Sequence, residues 1–136
     1  MKKRVLILCT GNSCRSQMAE GILRYLAGDK FEVFSAGTKP SEVNKTAIKV
    51  MKEINIDISS HRSKHVNEFR NQKFDYVITV CDNAKESCPF FPGATKILHF
   101  PFPDPPHAEA ESESVLNEFR KVRDMILKKF EEFATF

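Results

Sequence analysis

The run Val5-Leu6-Ile7-Leu8, closed by Cys9-Thr10-Gly11-Asn12-Ser13-Cys14-Arg15-Ser16, most constrains what this chain can fold into. A continuous apolar run is the pattern of a parallel strand buried on both faces. From Ser16 onward the sequence reads as a helix. A short loop therefore joins strand end to helix start, with a cysteine at its first position and an arginine six residues later. In that setting Cys-x5-Arg is a cradle for a tetrahedral oxyanion. Successive backbone N–H groups and the helix N-terminus point at the anion, and the arginine fork adds two parallel donors. Thr10, Gly11, Asn12, Ser13, Cys14, Arg15 and Ser16 are accordingly the candidate oxyanion-binding residues. The same field favours the thiolate of Cys9, the form in which cysteine is a nucleophile. Gly11 is expected to let the backbone turn around the anion without Cβ strain. The competing reading is a half-buried cysteine in an ordinary strand–helix turn.

The rest of the chain alternates strands with helices. Strands are expected at Val5 to Cys9, Phe31 to Ala36, Phe74 to Val80 and Lys96 to Phe100. Helical spacing runs through Met18, Ile22 and Tyr25-Leu26 with an exit at Gly28. It recurs through Val43, Ala47, Val50-Met51 and Ile54 after Pro40-Ser41. The polar stretch from His61 to Asn71 is expected to hold a third, weak helix, and Ile56-Asp57-Ile58 a short extended piece. The segment from Phe100 to Pro106 is loop, because its prolines remove donors and fix φ. A final helix carries Leu116, Phe119, Val122, Ile126, Phe130 and Phe133 on one face. Its early acids (Glu109, Glu111, Glu113) and late bases (Lys128, Lys129) suit the helix dipole. The expectation is one α/β domain over residues 1–136, with a four-stranded parallel sheet covered on both faces in an α/β/α arrangement. Ligands then bind beyond the carboxyl ends of the strands.

Composition excludes several classes. At 136 residues the chain closes one core, and 41% hydrophobic with 29% charged residues is ordinary for a globular protein. A net charge of +3, with no long block of one sign, argues against nucleic acid as partner. Lys2-Lys3-Arg4 runs straight into a strand, without the apolar stretch and cleavage site of a signal peptide. No run approaches a membrane span. Four cysteines, Cys9, Cys14, Cys81 and Cys88, admit a disulfide scaffold or a zinc site. A chain of this size needs no staple, and one of its cysteines heads the anion loop. Reactive thiols in a cytoplasmic protein account for them better.

Cys81 directly follows the strand ending at Val80, so it emerges at the same sheet edge as Cys9. Cys88 lies seven residues on. In a rigid helix that spacing is about 10 Å of rise, beyond the roughly 7 Å that a disulfide tolerates. A bond between them would require the intervening segment to loop out; two inert thiols are the alternative. Asp104, in Phe102-Pro103-Asp104-Pro105-Pro106, reaches the ligand end as a candidate proton donor to a leaving oxygen, or is a turn former before proline. Asn12, Ser13 and Ser35 are candidates for pinning the loop by side-chain hydrogen bonds. Glu20 either accepts from that network or is a solvated helix carboxylate.

Cys9-Thr10-Gly11-Asn12-Ser13-Cys14-Arg15-Ser16-Gln17-Met18-Ala19-Glu20-Gly21 closely resembles the anion loop and first helix of thioredoxin-coupled arsenate reductases, which share the fold of low-molecular-weight protein tyrosine phosphatases. Further matches are Ser35-Ala36-Gly37, Asn44, Asp57-Ile58-Ser59, Val80-Cys81, Cys88-Pro89, Asp104-Pro105 and Phe119-Arg120-Lys121-Val122-Arg123-Asp124. The phosphatase branch usually has proline where this chain has Gln17, and dephosphorylation does not need Cys81 and Cys88. The resemblance implies Cys9 as nucleophile, Arg15 as oxyanion binder, Asp104 as general acid, and Cys81 and Cys88 as later members of a thiol relay outside which Cys14 stands. It implies arsenate as substrate, thioredoxin as electron donor, no cofactor, and a monomer. Some members bind a potassium ion beside the loop with Asn12, Glu20, Ser35 and a carboxylate whose position falls at Lys64 here. A lysine cannot ligate a cation, so no metal is expected, and an ammonium is the alternative occupant. A phosphatase acting through a Cys9 phosphoenzyme is the second expectation.

Overall fold

The computed structural model describes residues 2–81, 91–106 and 112–135. Strands β1 (Lys3–Cys9), β2 (Phe31–Gly37), β3 (Phe74–Thr79) and β4 (Ala94–His99) form one sheet in the order β2-β1-β3-β4, with every pairing parallel. Helices α1 (Arg15–Ala27), α2 (Lys45–Lys52) and α3 (Glu113–Ala134) and a 3-10 turn at Val66–Phe69 complete the described elements. The chain leaves β1 toward β2 and later returns past it to β3. The strand order therefore reverses at the carboxyl ends of β1 and β3, the place where open α/β sheets bind ligands.

The apolar run of β1 is buried on both faces, as its composition demands. Val5, Ile7 and Cys9 pack under the three helices against Met18, Ile22 and Phe119. Leu6 and Leu8 face the opposite way, against Val66, Phe69, Phe74 and Phe91. Among the described residues the helices thus cover one face, and the 3-10 turn with an aromatic cluster closes the other.

Several elements differ from their sequence expectation for local reasons. β1 starts at Lys3 rather than Val5 because Arg4 fits a sheet: its guanidinium lies 4.5 Å from the Phe74 ring centre, and its N–H donates to Asp75 Oδ2 at 2.7 Å. α2 starts at Lys45, where Asn44 Oδ1 accepts from the Ala47 N–H at 3.0 Å. Val43 and Ile54 fall outside the helix. Ile56-Asp57-Ile58 joins no strand, and His61 to Asn71 forms only the 3-10 turn. β4 runs from Ala94 to His99 instead of Lys96 to Phe100, but pairing continues beyond it. The Phe100 N–H donates to Thr79 O at 2.8 Å and the Phe102 N–H to Val80 O at 3.4 Å. α3 begins with Glu113, yet its last turn holds Glu131 and Glu132 and no base. Lys128 and Lys129 stand too early for the expected dipole match, and Glu109 and Glu111 lie outside the described residues.

Candidate active site

Cys9 ends β1 and Arg15 opens α1, so strand and helix hold the two ends of the loop between them. Both side chains are buried. Cys9 Sγ lies 3.0 Å from Ser16 Oγ. Arg15 Nη1 donates to Phe102 O at 3.3 Å, and Arg15 Nε is 3.5 Å from Asp104 Oδ1. The ladder-like bonds of Phe100 and Phe102 thus bring the proline-rich loop, and Asp104 with it, to the arginine. The Asp104 side chain is 46% exposed, open to a proton source.

The loop carbonyls are tied outward one after another. Thr10 O accepts from the Lys39 N–H at 2.9 Å, Gly11 O from Ser41 at 3.3 Å, Ser13 O from Asn44 at 2.9 Å, and Cys14 O from Met18 at 2.9 Å. Asn12 O accepts from Gln17 Nε2 at 3.1 Å. In a trans peptide each carbonyl points opposite to the following N–H. Turning five successive carbonyls away from the centre therefore turns the amides of Gly11 through Arg15 toward it. The N–H groups of Lys39, Ser41 and Asn44 thus serve the loop, and Pro40 has none to give, so residues 39–44 are not helical.

The turn is not made by Gly11. No glycine has positive φ; Asn12 takes that conformation instead, at 45°, which asparagine tolerates better than most residues. A Cβ on Gly11 would meet nothing closer than 3.7 Å. The glycine that the site needs is Gly37, whose added Cβ would fall on the Thr10 carbonyl oxygen and 2.8 Å from that of Cys9.

Asn12 is strapped in place. Its Nδ2 donates to Ser16 Oγ at 2.8 Å and Ser35 Oγ at 2.9 Å, while Oδ1 accepts from the Lys64 N–H at 2.8 Å and Gln17 Nε2 at 3.0 Å. Ser35 Oγ passes the chain on to Glu20 Oε1 at 2.5 Å. Glu20 is buried, and accepts from Arg24 Nη2 at 2.9 Å. Lys64 Nζ approaches Glu20 Oε1 at 3.7 Å and donates to Arg62 O at 2.7 Å. An ammonium at that place, with Asn12 offering N–H donors rather than oxygen, does not fit a bound potassium ion. Burial lowers the Lys64 pKa and Glu20 opposes that shift.

Gln17, which stands where the phosphatase branch has proline, joins the site although it is absent from the residues expected there. It is fully buried in the first turn of α1, and its Oε1 lies 3.0 Å from His61 Nδ1. An amide oxygen only accepts, so His61 carries its proton on Nδ1 and offers Nε2 to Arg24 Nη1 at 3.2 Å. That arrangement requires neutral imidazole. Burial pushes the His61 pKa down, Arg24 and Lys64 add to the effect, and Glu20 opposes it. A buried glutamine in a first helical turn was the available signal; its distant partners were not.

Cys81 stands two residues past β3, which ends at Thr79 rather than Val80, and is buried, with Sγ 3.9 Å from the carbonyl oxygen of Leu8, the neighbour of Cys9. Cys14 is also buried. Desolvation raises its pKa well above the ordinary thiol value, Asp104 and Cys9 add to the rise, and Arg15 opposes it. It is held as a neutral thiol. Cys88 lies outside the described residues, as does Ser87 before it.

A thiol at the end of a parallel strand, an amide-lined loop and a buried arginine at the following helix start define a cysteine-based oxyanion site on an α/β sheet. Residues 4–135 match the low molecular weight phosphotyrosine protein phosphatase family, and the chain belongs to it. It is 46% identical over 133 residues, 98% of this chain and 96% of the relative, to an arsenate reductase of Halalkalibacterium halodurans. Its fold is similar to a structure described as an arsenate reductase in the phosphate binding state, with TM-score 0.83 and 34% identity, covering 99% of this chain and 98% of that one. It is also similar to a thioredoxin-dependent arsenate reductase of Corynebacterium glutamicum, with TM-score 0.63 and 27% identity, covering 97% of this chain and 63% of that one.

Proposed function

We propose that this protein reduces arsenate to arsenite, with Cys9 as nucleophile and Cys81 and Cys88 as the thiols that carry the electrons away from it. The observation that supports this best is Cys81, a second cysteine just past the end of the strand beside β1, with its sulfur 3.9 Å from the Leu8 carbonyl oxygen. Ester hydrolysis has no use for it. The names of the relatives agree.

In the proposed sequence arsenate sits in the loop against the amides and the Arg15 guanidinium. Cys9 thiolate attacks arsenic, forming an S–As bond, while Asp104 protonates the departing hydroxide to water. Cys81 thiolate then attacks Cys9 Sγ. The S–S bond forms, the S–As bond breaks, and its electron pair stays on arsenic, which leaves as arsenite. Cys88 thiolate attacks Cys81 Sγ, giving Cys81–Cys88 and freeing Cys9. A dithiol protein of the thioredoxin class reduces that disulfide by exchange. No cofactor takes part, because both electrons come from thiols, and a reducing compartment such as the cytoplasm keeps the relay charged.

Lys64 is proposed as a tethered cation that neutralises Glu20 and so stiffens Ser35, Asn12 and the loop. Measuring melting temperature in potassium and in choline chloride tests it. The wild type is expected to be indifferent, and Lys64→Asp to gain a potassium-dependent stabilisation.

The decisive experiment follows arsenate-dependent NADPH oxidation with thioredoxin and thioredoxin reductase, beside hydrolysis of a phosphate ester. Sustained reduction is expected. Efficient ester hydrolysis without arsenate turnover would favour the phosphatase reading, which the family match and the shared Cys9, Arg15 and Asp104 also support.

A further inference from the structure

A cavity of about 750 Å³ lies along the sheet beside the last turns of α3, from Lys3 and Phe31 at the amino ends of β1 and β2 to Leu98 and Phe100 at the carboxyl end of β4. β1 spans seven residues from Lys3, at the cavity, to Cys9. At about 3.3 Å per residue Lys3 is therefore roughly 20 Å from Cys9. The volume lies in the range of small-molecule sites, about 300–1,000 Å³.

Its walls are aromatic. Phe31 and Phe133 stack at 5.3 Å between centroids, and Tyr76 meets both edge-on, at 6.3 Å and 5.2 Å. Phe100 meets Phe133 edge-on at 6.1 Å. Such a set presents faces and edges to a further flat ring.

Its rim is cationic, with Lys3, Lys30, Lys96 and Lys129 against Asp29 and Glu132. Two of these lysines already have work to do. Lys30 Nζ donates to the Ala134 carbonyl at 3.2 Å, and Lys129 pairs loosely with Glu132 at 3.9 Å. Lys3 and Lys96 pair with no carboxylate among the described residues. They flank Tyr76 on the neighbouring strands: Lys3 Nζ lies 5.8 Å from the Tyr76 ring centre, and Lys96 is the direct partner of Tyr76 across β3 and β4. A carboxylate at this edge of the cavity would lie within reach of both lysine side chains.

We propose that this cavity binds a small aromatic monocarboxylate, with its ring among Phe31, Tyr76, Phe100 and Phe133 and its carboxylate between Lys3 and Lys96. The site is separate from the oxyanion loop.

The probe is 2-naphthoate. The chain has no tryptophan and two tyrosines, and Tyr25 is exposed. In a Tyr25→Phe background the remaining tyrosine emission therefore reports on the cavity alone. Saturable transfer of that emission to naphthoate is expected, with half-saturation below about 1 mM. Saturating sulfate or Cys9→Ser leaves it unchanged. Lys3→Glu with Lys96→Glu, both at exposed positions, weakens it by about tenfold or more, and uncharged 2-naphthylmethanol binds weaker by a similar factor. Absence of saturation up to about 5 mM, competition by sulfate, or equal binding of the alcohol would each overturn the proposal. A response seen only in Phe136→Ala would assign the cavity to the chain's own last residue. Sedimentation that shows a dimer, dissociated by Lys3→Glu with Lys96→Glu, would assign it to self-association. Either result overturns it.

Discussion

Single side chains here are governed by what surrounds them, and two of them yield direct tests. Asp104, the proposed general acid, is half-exposed and 3.5 Å from Arg15 Nε. Asp104→Asn keeps the size and removes the acid. Single-turnover arsenite release is expected to fall by roughly 10²- to 10⁴-fold, and a loss below about threefold would make Asp104 a turn residue only. His61 is neutral because Gln17 takes its Nδ1–H and Arg24 donates to Nε2. Its native pKa lies below the usual 6.5, with burial the largest cause. As pH falls the unfolded chain takes up this proton before the native protein does. The stability contributed by neutral His61 is therefore present above the unfolded value and declines as pH drops through it. Denaturation midpoints compared between about pH 7.5 and 5.5 should fall less in His61→Gln than in the wild type. Parallel pH curves would show that the imidazole is not the sensor.

The loop between β1 and α1 behaves as an element shaped from outside. Its carbonyls are bound by residues 39–44 and by Gln17, and its close neighbour is Gly37 at the end of β2. A methyl at Gly37 would press on the backbone carbonyls of Thr10 and Cys9, neither of which can swing aside like a side chain. Gly37→Ala is expected to cost about 1–3 kcal/mol, the usual range for overpacking, and to weaken oxyanion binding. Gly11→Ala makes only ordinary van der Waals contacts, none closer than 3.7 Å, at negative φ and is expected to be nearly neutral. Thermal melts with and without sulfate compare the two. The opposite ranking would mean that the sequence motif, rather than the approach of β2, sets the loop's shape.

At the scale of the molecule, the sheet order places two strand ends, and so two thiols, at one edge. Cys9 and Cys81 are both buried, so a protein reductant cannot meet either without help, and the relay assigns that outward step to Cys88. Cys88→Ser is expected to release one arsenite per enzyme and stall as a Cys9–Cys81 disulfide, while ester hydrolysis persists. Peptide mapping after one turnover identifies the bond. A Cys9–Cys14 product, or sustained turnover by Cys88→Ser with thioredoxin, would refute the relay. Cys14 is a poor candidate for either role because burial keeps it protonated.

What the sequence by itself determined is what local periodicity and spacing can encode. The apolar run of β1, the alternation of strands and helices, and the fixed distance from Cys9 to Arg15 specify a parallel sheet with an oxyanion loop at one strand end. The same logic overextended α2 and the stretch from His61 to Asn71, where N–H groups and side chains had nonlocal partners. Only the tertiary structure decided which glycine the loop requires, that Glu20 lies inside the network, that Lys64 reaches it, and that Gln17 joins Asn12 to His61. Apart from the bonds of Gln17 to Asn12, these contacts join residues 15 or more apart in the chain. Such contacts depend on distances set by the packing of β2, α1 and the 3-10 turn around β1, and no window of sequence contains both partners.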